Sequence, residues 1–210
     1  MLWALVVPVK RLATAKSRLS GLGDATRQEL ALAFALDTVE AAMQAACVGA
    51  VLAVTDDPRA GEALLALGVD VEADRPDAGL NPALRHGAEV VAAAHPAFGV
   101  GALSADLPAL RPAELDGALV AADTSGAESA MVGDHTGIGT TLLVARRVEA
   151  FVPRFGPRSR AAHRAAGVVE PAFSTAAAGL RGDVDTEVDL WDARRLGVGR
   201  HTRAVLAALH

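Results

Sequence analysis

Apolar and polar positions follow one another in blocks whose period changes repeatedly along the chain, and those changes mark the elements. Leu2 to Val7 is an unbroken apolar run closed by Pro8, the pattern of a buried strand. From about Asp24, read as an N-cap, the period becomes helical. Leu32, Leu36, Val39 and Met43 form one stripe at i, i+4, i+7 and i+11. Gly49 to Thr55 predicts a second strand, stopped by Asp56-Asp57-Pro58. A short helix from Ala60 to Leu67 ends at Gly68, well suited to the C′ position. Val69 to Glu72 is a third strand, and ADRPDAGLNPALRHGAEVVAAA reads as loop, then helix. Gly99 to Ser104 is a fourth strand running into Ala105-Asp106-Leu107-Pro108, and Pro112 opens a helix at N1. Ser129 to Gly133 and Thr140 to Ala145 predict two more strands joined by a glycine-threonine loop. Residues 159 to 166 form a short helix, 168 to 170 a short strand, and 187 to 196 and 200 to 209 terminal helices.

Strands alternating with helices predict an α/β fold: one domain over residues 1 to 210, a mixed, mostly parallel sheet, helices on both faces. Such sheets bind ligands beyond the carboxyl ends of their strands. Polar and glycine-rich residues collect after each of the first four strands, which places four loops on one rim.

Composition narrows the functional classes. Apolar residues make up 51% of the 210 positions, enough for a sizeable core, and with aromatics at 3% and no tyrosine that core is aliphatic and alanine-padded. No apolar run reaches the ~18 residues of a membrane span, and the apolar start lacks a basic region before it, so no membrane association and a cytoplasmic location are expected. The single cysteine, Cys47, excludes an intramolecular disulfide and a cysteine-cluster zinc site. A formal charge of −5 argues against nucleic acid as a partner. Among 20 basic positions only Lys10 and Lys16 are lysines, and both fall within the first four, beside Arg11 and Arg18. Chance scatter would produce that in roughly 3% of cases. Lysine is a compact point charge that arginine does not replace where an ammonium must reach one phosphate oxygen.

The loop from residue 8 to 23 is longer than connecting loops usually are, and its Lys10, Arg11, Lys16 and Arg18 suit a triphosphate whose leaving group gains charge. Gly21-Leu22-Gly23 is not a dinucleotide fingerprint, because position 26 is threonine and the glycines lie far past the strand. Asp106, at the end of an apolar strand, reads either as a turn aspartate or as a ligand for a hard cation such as Mg²⁺. Asp183-Val184-Asp185-Thr186 reads either as a second carboxylate source or as acids favourable to a helix N-terminus. Two acidic strand-edge sites together favour metal-assisted phosphoryl or nucleotidyl transfer. Asn81 follows Gly79-Leu80 and either reads a base edge or caps its helix. Thr136 to Thr141 and Phe155-Gly156-Pro157-Arg158-Ser159 are candidate anion sites, the second opening a helix. His163, one turn further on, either lines that site or, as the simpler reading, lies on the surface, and Cys47 reads as a small buried hydrophobe.

The segments VPVKRLATAKSRL, ADRPDAGLNPALRHG, LSADLPAL, HTGIGTTLL, FGPRSRAAHRAAG and LRGDVDTEVDLWDARRLGVG occur in this order from Val6 to about Gly199. Together they resemble the guanylyltransferases of coenzyme F-420 biosynthesis, which transfer GMP from GTP to 2-phospho-L-lactate or phosphoenolpyruvate. The resemblance implies a Rossmann-like nucleotidyltransferase fold, Mg²⁺ as cofactor, enolpyruvoyl-2-diphospho-5′-guanosine as product, and its consumption by a downstream transferase. It implies that the loop from Pro8 through Val9 and Lys10 to Arg18 wraps the GTP phosphates, with Lys16 the main cation. Gly79 and Asn81 are expected near guanine. Asp106 is expected to hold the metal with Asp185 or Asp183, and Lys16, Asp106 and Asp185 to form the catalytic set. Thr141, Gly156 and Ser159 are expected to hold the acceptor. A nucleotidyltransferase with a molybdopterin-like acceptor and a non-catalytic nucleotide-binding subunit are the alternatives. The sequence does not choose between phosphoenolpyruvate and 2-phospho-L-lactate, nor does it fix an oligomeric state, a homodimer being compatible with it.

Overall fold

The computed structural model of the chain describes residues 1–19, 21–172 and 177–209. Six strands form one sheet in the order β3-β2-β1-β4-β6-β5. They are β1 (Trp3–Pro8), β2 (Val48–Val54), β3 (Asp70–Glu72), β4 (Gly99–Leu103), β5 (Ser129–Gly133) and β6 (Thr140–Ala145). The first four run parallel, while β6 runs antiparallel to both β4 and β5. The helices are α1 (Asp24–Gln44), α2 (Pro58–Ala66), α3 (Leu80–Ala94), α4 (Pro112–Thr124), α5 (Ser159–Ala165), α6 (Ala178–Arg181), α7 (Glu187–Leu196) and α8 (Arg200–Ala207).

Both faces of the sheet are covered, as alternation predicts. On one face α1, α2 and α4 pack Leu36, Val39, Leu64, Leu115 and Leu119 against Leu5, Val7 and Leu103. On the other, α3 brings Leu84 and Val91 onto Val6, Leu52 and Leu143, with Phe151 and Val168 completing the cluster. Gly87 lets α3 lie close, since a Cβ there would meet Val6 Cγ1 at 2.8 Å. A third cluster joins Leu30 and Phe34 of α1 to Leu190, Ala193 and Val198, so α1 is buried on its outer side too. Among the described residues no helix is long and apolar enough to cross a membrane.

The structure corrects several local expectations. Gly23, in extended conformation, is the N-cap of α1; Asp24 is its first residue and pairs with Arg27. Met43, at the end of the predicted stripe, is exposed. Cys47 is half-buried. The segment around Val169 is a single parallel bridge to Ala130 rather than a strand. Two short 3-10 turns, Leu12–Thr14 and Val148–Ala150, and the four-residue α6 are too brief to show a period.

Candidate active site at the strand-end rim

The loop after β1 turns back over the carboxyl ends of the parallel strands, and side chains from other elements pin it. Asp57 accepts from Leu12 N at 2.8 Å with one carboxylate oxygen. Its other oxygen caps α2 by accepting from Ala60 N at 3.0 Å. Glu187 accepts from Gly21 N at 2.7 Å at the loop's far end. Between these anchors Lys16 sits in the left-handed region with φ 55°, a conformation that disfavours side chains and turns its ammonium inward. The result is an open cleft of about 380 Å³. Pro8, Val9, Lys10, Lys16 and Arg18 line one side, and Leu80, Ser104, Asp106 and Asp185 close the other.

Lys16 joins the two acidic segments. Its Nζ donates to Asp106 Oδ2 and, at 3.1 Å, to Asp185 Oδ1, and its side chain is only 11% exposed. Arg18 reaches the other Asp185 oxygen at 3.5 Å. Burial lowers the Lys16 pKa, yet the two carboxylates outweigh it and hold the ammonium above its ordinary value. Asp106 is aimed by its backbone: Leu107 N donates to Thr38 Oγ1 of α1 at 3.0 Å. Val184 N donates to Asp106 O at 3.0 Å, bringing the two acid segments side by side.

The helix-capping role weighed for Asp183 and Asp185 falls to their neighbours. Thr186 is the N-cap of α7, and Asp189 completes the capping box, accepting from the backbone N–H of both Thr186 and Asp185. Asp183 and Asp185 are therefore left for other work. Burial, then the like charges of Asp106, Asp134 and Asp185, push Asp183 up to about 6. Its Oδ1 is buried without a hydrogen-bond partner among the described residues. His135, between Asp183 and Asp189 with its ring nitrogens 3.4 Å from each, offsets that crowding in part. Asp106 and Asp185 meet at Lys16 and are hard-oxygen donors of the kind Mg²⁺ takes, whereas Asp183 faces His135 and, among the described residues, does not close into one ligand cluster with them.

The expected acceptor residues gather apart from the cleft lining, at the start of β6 and the turn before α5. Thr141 is 0% exposed and its Oγ1 has no partner among the described residues. Ser159 donates to Thr140 Oγ1 at 3.2 Å, and Thr140 Oγ1 lies 3.0 Å from His163 Nδ1. Arg154 N donates to His163 Nε2 at 2.9 Å, which fixes the tautomer with the proton on Nδ1. His163 is thus wholly buried rather than on the surface, and burial, helped by Arg154, lowers its pKa to about 4. Gly156 holds φ 135°, which its missing Cβ permits. Within the 134–139 loop, Asp134 accepts from Thr136 Oγ1 at 2.9 Å and Ile138 N at 2.9 Å.

Gly79 caps α3 with φ 99° and is exposed, Leu80 is the residue of this turn that lines the cleft, and Asn81 neither lines the cleft nor caps its helix. Its amide is bonded to Phe155, donating to the carbonyl at 3.0 Å and accepting from the N–H at 2.7 Å. Thr38, Asp57, His135 and Asp189 carry structural duties as well. The Asp57-Pro58 start of α2 and the Thr186-x-x-Asp189 spacing are legible capping signals, whereas nothing local marks Thr38 or His135.

Residues 3–210 match the family described as "Guanylyl transferase CofC like". A phosphoenolpyruvate guanylyltransferase of Streptomyces coelicolor is 55% identical over 100% of this chain and 98% of its own length. That of Thermomonospora curvata is 53% identical over 99% of this chain and 90% of its own. Among solved structures, a nucleotidyl transferase from Methanothermobacter superposes with TM-score 0.60 at 22% identity, covering 92% of this chain and 96% of that one. A chain from Desulfovibrio desulfuricans G20, assigned to the nucleotide-diphospho-sugar transferases, gives 0.68 at 18% identity, over 99% and 95%. These two likenesses establish the Rossmann-like nucleotidyltransferase architecture. With its sequence matched almost end to end, the chain belongs to the CofC-like guanylyl transferase family.

Proposed function

We propose that this guanylyltransferase moves GMP from GTP to phosphoenolpyruvate, forming enolpyruvoyl-2-diphospho-5′-guanosine and diphosphate as a step towards coenzyme F-420. The observation that carries the chemistry is Lys16 drawn between Asp106 and Asp185 at the mouth of a basic cleft. The names of the relatives at 55% and 53% identity support phosphoenolpyruvate over 2-phospho-L-lactate.

An oxygen of the acceptor phosphate attacks the α-phosphorus of GTP in line. The bond from that phosphorus to the β-phosphate oxygen breaks, and diphosphate leaves with the electron pair. No proton has to be removed from a phosphate already ionised near neutral pH, so the protein's task is positioning and charge compensation. Pro8, Val9, Lys10 and Arg18 border the triphosphate, and Lys16 offers its ammonium as a point charge. Gly79 and Leu80 border the base. Asp106 and Asp185, with Asp183 beside them, would hold Mg²⁺, which neutralises phosphate charge when bound. Thr141, Gly156 and Ser159 hold the acceptor, and the unpaired Thr141 hydroxyl supports that role. A phosphoric anhydride product is activated for a second transfer, so a downstream transferase is its natural consumer. Both substrates are small charged metabolites, which suits a cytoplasmic enzyme; a homodimer remains compatible with this scheme.

Diphosphate release with GTP and Mg²⁺ is to be measured over a panel of phosphorylated three-carbon acids. Release is expected with phosphoenolpyruvate at the highest kcat/KM. Absence of release with every acid, in a folded sample, refutes the assignment.

A further inference from the structure

The backbone from Phe151 to Arg158 belongs to neither strand nor helix, so side chains must satisfy its polar groups. Helix α3 does so at two successive turns. Asn81 pairs with both the N–H and the carbonyl of Phe155, at 2.7 and 3.0 Å. Arg85, four residues on and therefore on the same helical face, donates to Phe151 O at 2.8 Å. From the other side His163 accepts from Arg154 N at 2.9 Å. The segment so gripped leads through Gly156 and Arg158, both with positive φ, directly into Ser159.

A carboxamide presents one donor and one acceptor at the spacing of a peptide group, so Asn81 meets Phe155 as a neighbouring strand would. Reading a purine edge requires the same two amide atoms. In Asn81 both are engaged 74 residues away in sequence, while the adjacent Leu80 lines the nucleotide cleft.

We propose that Asn81 is a positioning residue for the acceptor, holding the Phe155-Gly156 turn in register, and that it takes no part in recognising the guanine base. The first turn of α3 then serves both halves of the site: Leu80 faces the nucleotide and Asn81 fixes the turn that receives the acceptor. The inference rests on the acceptor placement given above.

The test compares Asn81→Ala and the near-isosteric Asn81→Asp with the parent chain. Aspartate keeps the acceptor for Phe155 N–H but sets a second acceptor against Phe155 O. Steady-state KM for phosphoenolpyruvate and GTP is measured with kcat, and equilibrium binding of GTP and ATP is measured without acceptor. Loss of two hydrogen bonds predicts an acceptor KM raised roughly 10- to 100-fold in the alanine variant. An intermediate rise is expected for aspartate, with GTP affinity within about twofold and the GTP-over-ATP preference unchanged. Loss of that preference would make Asn81 a base reader and overturn the proposal. So would an acceptor KM equal to the parent's, or a proportional decline of every parameter together with the melting temperature. A parent chain inactive with phosphoenolpyruvate would instead refute the functional assignment. The nucleotide-preference arm needs no acceptor and still decides whether Asn81 reads the base.

Discussion

Replacing His163 with glutamine should remove a pH-dependent component of stability whose size follows from the burial of this imidazole. The side chain is wholly enclosed, and its pKa falls from 6.5 to about 4. In the unfolded chain it returns to its ordinary value, so between those limits the unfolded state binds the proton that the native state refuses. The stabilisation is complete above pH 6.5 and is lost as pH falls towards 4. At about 1.4 kcal/mol per pH unit, the full window is worth about 3.5 kcal/mol, of which roughly 2–3 kcal/mol is lost between about pH 7.5 and about pH 4.5. Asp183 acts with the opposite sign. Its pKa, raised to about 6, makes the native state the stronger proton binder, so acidification through 6 relieves a penalty and partly masks the His163 effect in the parent. The difference between variant and parent at each pH cancels Asp183 and isolates His163. Urea unfolding can be followed through Trp3, which is buried, whereas Trp191 is exposed and contributes little change. The glutamine variant should lose less stability on acidification than the parent by that amount. Parallel loss in the two proteins would refute a neutral, enclosed imidazole.

Lys16→Arg should lower GTP-dependent turnover by more than tenfold despite conserving charge, since a planar fork cannot sit between Asp106 and Asp185 as an ammonium does; steady-state kinetics at saturating acceptor would show it, and parental rates would dismiss the point-charge role. Asp106→Asn, Asp185→Asn and Asp183→Asn should separate in a Mg²⁺ titration: the first two shift the requirement upward and nearly abolish turnover, while Asp183→Asn does so less and raises stability at neutral pH by relieving a crowded buried charge. Equal, mild losses in all three would dismiss a carboxylate metal site. Ser159→Ala should weaken the acceptor roughly 10- to 150-fold, from about 1.5–3 kcal/mol for a hydroxyl bonded to a charged oxygen, with GTP affinity kept. Isothermal titration of each substrate separately would expose a reversed assignment as a selective loss of GTP.

What could be read from the sequence was set by the length over which a pattern persists. β5 and β6 carry the residue limits expected of them, and α7 begins and ends where its capping signals lie. The cluster of basic residues after β1 and the aspartate after β4 likewise meet in one cleft. The burial of His163 leaves no such pattern, because α5 is only seven residues long, too short for a buried face to show as a stripe. Asp24 looks like a cap in isolation, yet Gly23 already supplies the extended residue that a helix start requires. The Asn81–Phe155 pairing spans 74 positions, and the Thr38 contact to Leu107 spans 69; such partners leave no local trace.

The reversal of β6 has a consequence for how this scaffold can diversify. Running against β4, it sets its first residues beside the exit of that strand, so that Ser104 N bonds Thr141 O at 2.8 Å two residues before Asp106. The cleft is lined by residues 8 to 106 and by Asp185, whereas the hairpin, its Arg160–Glu170 brace and the turn before α5 form one continuous stretch, residues 129 to 170. Besides α3, that stretch is held by Arg181, which donates to Gly133 O and Asp134 O. On the proposed placement of the acceptor at Thr141, Gly156 and Ser159, transplanting the stretch between homologues, together with its α3 attachments at Asn81 and Arg85, is expected to change which phosphorylated acid is accepted while the triphosphate end is inherited unaltered.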